Sequence, residues 1–183
     1  GVSSAASDVY KRQVLIGVTA GRPVRFMAKA PLFEMPVVGR VMYALGMVPA
    51  YRGMDDKSQV RRNLQSLDTG AETLMEGKAL GIFPEGKTTD QAHLDKVRSG
   101  DARMAIKAYD EGTRVVQVVP LGINYERKDQ FRSGVWIRVG DSIDVDSWVD
   151  RHDGDSRKAM RSLTTKLAED IRDRMVHLDE PEW

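Results

Sequence analysis

Hydrophobic and polar positions follow no clear period through residues 1–13, GVSSAASDVYKRQ, and the patterning begins at Val14. Val24 to Ala28, after Gly21-Arg22-Pro23, predicts a short strand. Met35, Val38, Val41, Met42 and Leu45 share one face of a helix that Pro31 and Pro36 introduce and Gly46 ends. Met47 to Tyr51 reads as short and extended. Asp55 and Asp56 can cap a longer helix whose apolar positions are Val60, Leu64, Leu67, Ala71 and Leu74, with Gly77 at its exit. Ala79 to Phe83 is a second strand, and Asp90 to Ser99 a polar loop. Ala102, Ala105, Ile106 and Tyr109 mark a short helix that Gly112 closes. Val115 to Leu121 (VVQVVPL) is apolar at nearly every position, which predicts a central strand covered on both faces. Gly134 to Val139 gives another strand. The stripe Met160, Leu163, Leu167, Ile171, Met175 gives a closing helix. Strands alternating with helices imply an α/β class. We expect one domain over residues 14–183, with a mixed, largely parallel sheet, helices on both faces and part of its first strand missing. Residues 1–13 are expected to be a tail foreign to it.

Composition narrows the function classes. The chain has 183 residues, 41% hydrophobic and 30% charged, as expected of a globular domain. A formal net charge of +1 supplies no general attraction for nucleic acid, and none is expected as a partner. There is no cysteine, which excludes disulfides and thiolate metal sites. The three histidines, His93, His152 and His177, are scattered, and no metal or other cofactor is expected. No apolar run approaches the roughly 18 to 20 residues of a spanning helix, and nothing near the start resembles a secretory signal. These features lead us to expect a cytoplasmic protein that meets a membrane only at its surface.

The stretch GIFPEGKTTD, Gly81 to Asp90, carries the chemistry. Gly81 to Thr88 satisfies G-x-x-x-x-G-K-[ST], the string of a phosphate loop. Such a loop needs a full strand before its first glycine and a helix after its Lys-Thr. Here the best strand residues, Ile82 and Phe83, would have to be the loop, and Pro84 lacks an N–H where a phosphate cradle needs donors. The other reading is a strand that runs into a sharp turn, Pro84-Glu85-Gly86-Lys87.

That turn, Phe83-Pro84-Glu85-Gly86, resembles the FPEG signature of the glycerolipid acyltransferases, the lysophosphatidic acid and glycerol-3-phosphate acyltransferase superfamily. Further segments match in order. Lys29-Ala30-Pro31-Leu32-Phe33 through Gly39 resembles K-x-P-L-F-x-x-P-x-x-G, and Gly46-Met47-Val48-Pro49-Ala50-Tyr51-Arg52 resembles G-x-I-P-x-x-R. Arg98-Ser99-Gly100 precedes an alanine-rich helix, and Val118-Val119-Pro120-Leu121-Gly122-Ile123 resembles V-V-P-V-x-I. The resemblance spans roughly residues 14–145. It implies a glycerol-3-phosphate acyltransferase-like fold and an O-acyltransferase of phospholipid biosynthesis. Such an enzyme moves a fatty acyl group from acyl-CoA or acyl carrier protein to glycerol 3-phosphate or its 1-acyl form. Its partners would be that thioester, that acceptor and the inner face of a membrane.

The resemblance also implies the site. Gly86 allows the turn, Lys87 and Arg52 offer cations to a phosphate monoester, and Arg98 stands before a helix N-terminus that favours an anion. Phe83, Pro84 and Glu85 belong to the same substrate-binding turn, although Glu85 can equally be a turn-stabilising carboxylate. Two departures stand out. Lys87-Thr88-Thr89 replaces the T-R-S that usually follows FPEG, so a point charge replaces a bidentate fork. The catalytic histidine–aspartate pair should fall within residues 6–12, which read ASDVYKR and hold Asp8 but no histidine. The front of the family pattern therefore reads as truncated or altered, and we expect residues 1–183 to be catalytically silent. His93 reads as a surface residue. The methionine-bearing segment 35–47 reads as core, with lipid contact as the alternative. A non-catalytic lipid or phosphate binder and a nucleotide-dependent phosphotransferase remain as rival functions.

Overall fold

The computed structural model describes residues 13–51, 57–84, 97–126 and 134–175. Residues 13–19 are helical, α1. The strand Val24–Lys29 (β1) then runs into a single 3-10 turn, Ala30–Leu32, and the short helix Val38–Ala44 (α2). Next come Val48–Ala50 (β2), Lys57–Met75 (α3) and Ala79–Gly81 (β3). Gly77, at φ 72°, and Gly112, at φ 92°, end α3 and Gly100–Asp110 (α4) in a conformation that a side chain would strain.

β1 is the middle of a three-stranded parallel sheet of order β2-β1-β3. Met27, Ala28 and Lys29 pair with Val48, Pro49 and Ala50, while Val24, Arg25 and Phe26 pair with Ala79, Leu80 and Gly81. Parallel neighbours cannot be joined by a hairpin, so α2 and α3 make the crossovers. Pro49, which has no N–H to give, sits on the outer strand β2, where a missing donor is tolerated.

The second half is antiparallel. Gln117–Val118 (β4) pairs with Ile143–Asp144 (β7), and Leu121–Tyr125 (β5) pairs with Val135–Val139 (β6). Val145–Asp150 (α5) and Ser156–Arg174 (α6) follow. Asp144 caps α5, accepting from the Ser147 N–H at 3.0 Å and the Ser147 hydroxyl at 2.6 Å. Those bonds hold its carboxyl below the usual aspartate value. Asp155 caps α6 in the same way through the N–H groups of Arg157 and Lys158.

The core lies among α4, α5, α6 and the β4–β7 pair. Ala102, Ala105, Ile106 and Ala108 of α4 meet Val116, Ile143, Val145, Val149, Ala159, Leu163 and Leu167. The alanines let α4 approach its neighbours closely. Trp148 Nε1 ties α5 to α6 by donating to the Ala159 carbonyl at 3.1 Å.

Two expectations need correction. VVQVVPL is not a central strand with two covered faces. Val116 and Pro120 are buried and Val118 half-buried, while Val115, Gln117 and Val119 are exposed. The segment therefore has one inner face, Val115 stands at φ 67°, and the ladder breaks at Pro120. Segment 35–47 is core only in part. α2 has just seven residues, buries Gly39 and Met42, and leaves Val41 and Tyr43 exposed, as are Val37 and Leu45 at its two ends.

Candidate functional site

Three of the matched segments leave the parallel sheet at the same edge. Lys29 ends β1 opposite Ala50, which ends β2, and the chain continues into Pro31-Leu32-Phe33 and into Tyr51. On the other side Phe26 pairs with Gly81. Pro84 stands three residues past Gly81, as Lys29 stands three past Phe26, so by residue count Pro84 falls near the level of the other two ends. Open α/β sheets bind ligands at this carboxyl edge, where loops diverge and leave a crevice.

Each rim segment is held by specific contacts. Phe83 stacks on Phe26, with ring centroids 6.4 Å apart and planes 11° apart, which fixes the residue before the turn to the middle strand. The Pro84 carbonyl accepts from the Arg98 N–H at 3.1 Å. This bond brings the start of α4 against the start of the turn. Tyr51, just past β2, donates its N–H to Ser66 Oγ of α3 at 3.4 Å. The Ser66 hydroxyl in turn donates to the Arg62 carbonyl at 3.1 Å. The Arg62 guanidinium lies 5.7 Å from the centroid of the Tyr51 ring, a cation–π distance. Phe33 meets Tyr43 edge-on at 5.0 Å, and a Cβ on Gly39 would overlap the Phe33 carbonyl oxygen. The glycine that closes the K-x-P-L-F-x-x-P-x-x-G pattern is therefore a packing requirement.

At the start of α4, Asp101 accepts from the Ala102 N–H at 2.7 Å, yet burial pushes its carboxyl above the ordinary aspartate value. Arg98, three residues earlier, is exposed. His152 lies just past α5, its Nδ1 2.7 Å from the Trp148 carbonyl. Among the described residues no group of three His, Cys, Asp or Glu side chains is placed to hold a metal ion, and no helix is long and apolar enough to cross a membrane.

Of the substrate-binding residues expected from sequence, Phe83, Pro84 and Arg98 come together at this edge. Arg52, Glu85, Gly86 and Lys87 lie outside the described residues, as do His93, His177 and the 6–12 window. The Tyr51–Ser66–Arg62 cluster was missed. Arg62 and Ser66 are four apart and so share a helix face, but their meeting with Tyr51 depends on how α3 packs beside β2.

Comparison with known proteins gives the family. The Acyltransferase family model matches residues 5–124, well over half of the chain, and the chain belongs to that family. It is 37% identical over 75 residues to glycerol-3-phosphate O-acyltransferase 1 of Saccharomyces cerevisiae, covering 40% of this chain and 10% of that one. It is 30% identical over 105 residues to a chloroplastic 1-acyl-sn-glycerol-3-phosphate acyltransferase of Arabidopsis thaliana, covering 57% and 27%. A lyso-ornithine lipid O-acyltransferase of Pseudomonas aeruginosa is 33% identical over 113 residues, covering 62% and 38%. These alignments take in less than half the length of each relative. Among solved structures, the 1-acyl-sn-glycerophosphate acyltransferase PlsC from Thermotoga maritima superposes with a TM-score of 0.53 at 15% identity. That match covers 86% of this chain and 59% of the other, and shows a shared fold.

Proposed function

We propose that this chain is the acyl-transfer domain of a phospholipid-synthesising O-acyltransferase that acts on glycerol 3-phosphate or its 1-acyl form. The observation that carries the reading is the meeting of Phe83, Pro84 and Arg98 at the edge where β1, β2 and β3 all end. A phosphate monoester bound there would meet Arg98 and the start of α4, and the resemblance adds Arg52 and Lys87. Gly86 would allow the turn, and Glu85 would brace it.

In the reaction, a base takes the proton of the acceptor hydroxyl and its oxygen attacks the thioester carbonyl. The tetrahedral intermediate collapses, the C–S bond breaks, and the thiol leaves with a proton. The donor is acyl-CoA or acyl carrier protein, and the work is done at the inner face of a membrane. Residues 6–12 hold Asp8 without a histidine, so the polypeptide of residues 1–183 should turn over slowly. Loss of a general base costs about 100- to 10,000-fold in rate. The same observation favours a second reading, a lipid or phosphate binder without catalysis.

Titration calorimetry tests the binding half. Glycerol 3-phosphate should bind, and Arg98→Ala should weaken it about tenfold, the effect of losing one charged hydrogen bond. Tight magnesium-dependent ATP binding, abolished by Lys87→Ala, would overturn the reading in favour of a phosphotransferase. A thiol-release assay tests the chemistry, comparing this polypeptide with one whose residues 1–13 are replaced by a family-like segment carrying histidine and aspartate. Gain of turnover in the replaced chain supports an acyltransferase whose base lies there. No gain, with glycerol 3-phosphate binding intact, supports the non-catalytic binder.

A further inference from the structure

We propose that the outward face of α2 docks on an anionic lipid bilayer and seats the carboxyl edge of the parallel sheet at the membrane surface. The inference rests on the acyl-transfer reading in one respect, that the reaction is worked at a membrane surface.

Met35, Val37, Val41, Tyr43 and Leu45 are 48%, 74%, 53%, 62% and 66% exposed. Val37, Val41 and Leu45 recur every four residues and so stand on one side of the helix. Between residues 30 and 51 the charged side chains are Glu34 and Arg40. The helix cannot roll to hide this face, because Gly39 lies against the Phe33 backbone and Met42 is buried. The exposed stripe of Val37, Val41 and Leu45 is an apolar surface that a partner can cover.

Position and charge favour a bilayer over a protein. The Ala30–Leu32 turn leads from the carboxyl end of β1 towards α2, so α2 starts within a few residues of the edge that carries the proposed site. Arg40 of α2 is exposed, as are Arg62 and Arg98 on the site rim. Arg40 can lay its stem along the apolar surface and reach headgroup phosphates. A short helix with apolar side chains and a flanking cation suits an interfacial position.

The chain has no cysteine, so a single one can be introduced and labelled. Val41→Cys carrying an environment-sensitive fluorophore should shift to the blue with vesicles of equal parts phosphatidylcholine and phosphatidylglycerol. A label placed by Thr165→Cys, on α6, should not. Combined Val37→Ser, Val41→Ser and Leu45→Ser should lower vesicle partition at least about tenfold, and Arg40→Gln should weaken it on the anionic vesicles alone. Circular dichroism checks that each variant is folded. No shift at position 41, or unchanged partition of the triple variant, would overturn the proposal. So would a label already shielded before vesicles are added, which would assign the face to a second copy or another part of the chain. Glycerol 3-phosphate titration without vesicles separates the two ideas. If it fails while the label still reports vesicles, the acceptor assignment falls and the docking face stands.

Discussion

Gly39 shows how tightly one residue can be fixed by its neighbours. A Cβ there would overlap the carbonyl oxygen of Phe33, a backbone atom that cannot swing away. Gly39→Ala should therefore cost about 1 to 3 kcal/mol, the usual range for overpacking, measured by denaturant unfolding. A loss below about 0.5 kcal/mol, typical of an unconstrained surface change, would show that the close approach is not real. Asp101 poses an electrostatic question at the site rim. Burial raises its pKa, and the Ala102 N–H only partly offsets this. Its contribution to stability is then fully present below its unfolded value, near 3.8, and is lost as pH rises through the higher folded value. Asp101→Asn should gain on the parent as pH rises from the unfolded value and level off above the folded one. Unfolding curves across the pH range check this, and a variant that loses stability towards neutral pH would contradict it.

At the scale of elements, Val115 links a misread strand to a measurable strain. Its φ of 67° is costly for a β-branched residue, and its side chain is 78% exposed, so little is gained by packing. Val115→Asn should stabilise the chain by about 1 kcal/mol, the low end of the cost of a left-handed non-glycine residue. Thermal unfolding would decide, and a lower Tm would refute it. Apolar content alone suggested a two-sided strand here, because five valines and leucines in seven positions hide which face each takes. α3, α4 and α6 were legible because their apolar stripes specify the period, and closing glycines mark the ends of α3 and α4. α5 and β7 were not, since Ile143 to Val149 is too short to display a period. In the site, Phe83, Pro84 and the start of α4 were legible as parts of motifs. The contact of Arg62 and Ser66 with Tyr51 was not, because it is made by tertiary folding.

Across the whole molecule, apolar side chains are divided between two tasks. Leu163 and Leu167 are buried where α6 meets α4 and α5, and their removal would leave a cavity that the packed alanines around them cannot fill. Leu45, 66% exposed at the end of α2, has little apolar contact to lose. If stability resides in the α4–α5–α6 core and the α2 face serves an outside partner, the same chemical truncation must have opposite consequences at the two places. Leu163→Ala should cost about 2 to 5 kcal/mol, a large part of a total of about 5 to 15 kcal/mol, and leave a chain that is mostly unfolded under mild denaturant. Leu45→Ala should change stability by less than about 0.5 kcal/mol while reducing vesicle partition. Denaturant unfolding and vesicle co-sedimentation on the two variants check both halves. A Leu45→Ala loss comparable with that of Leu163→Ala would mean that α2 is part of the core in solution, and the division of tasks would be wrong.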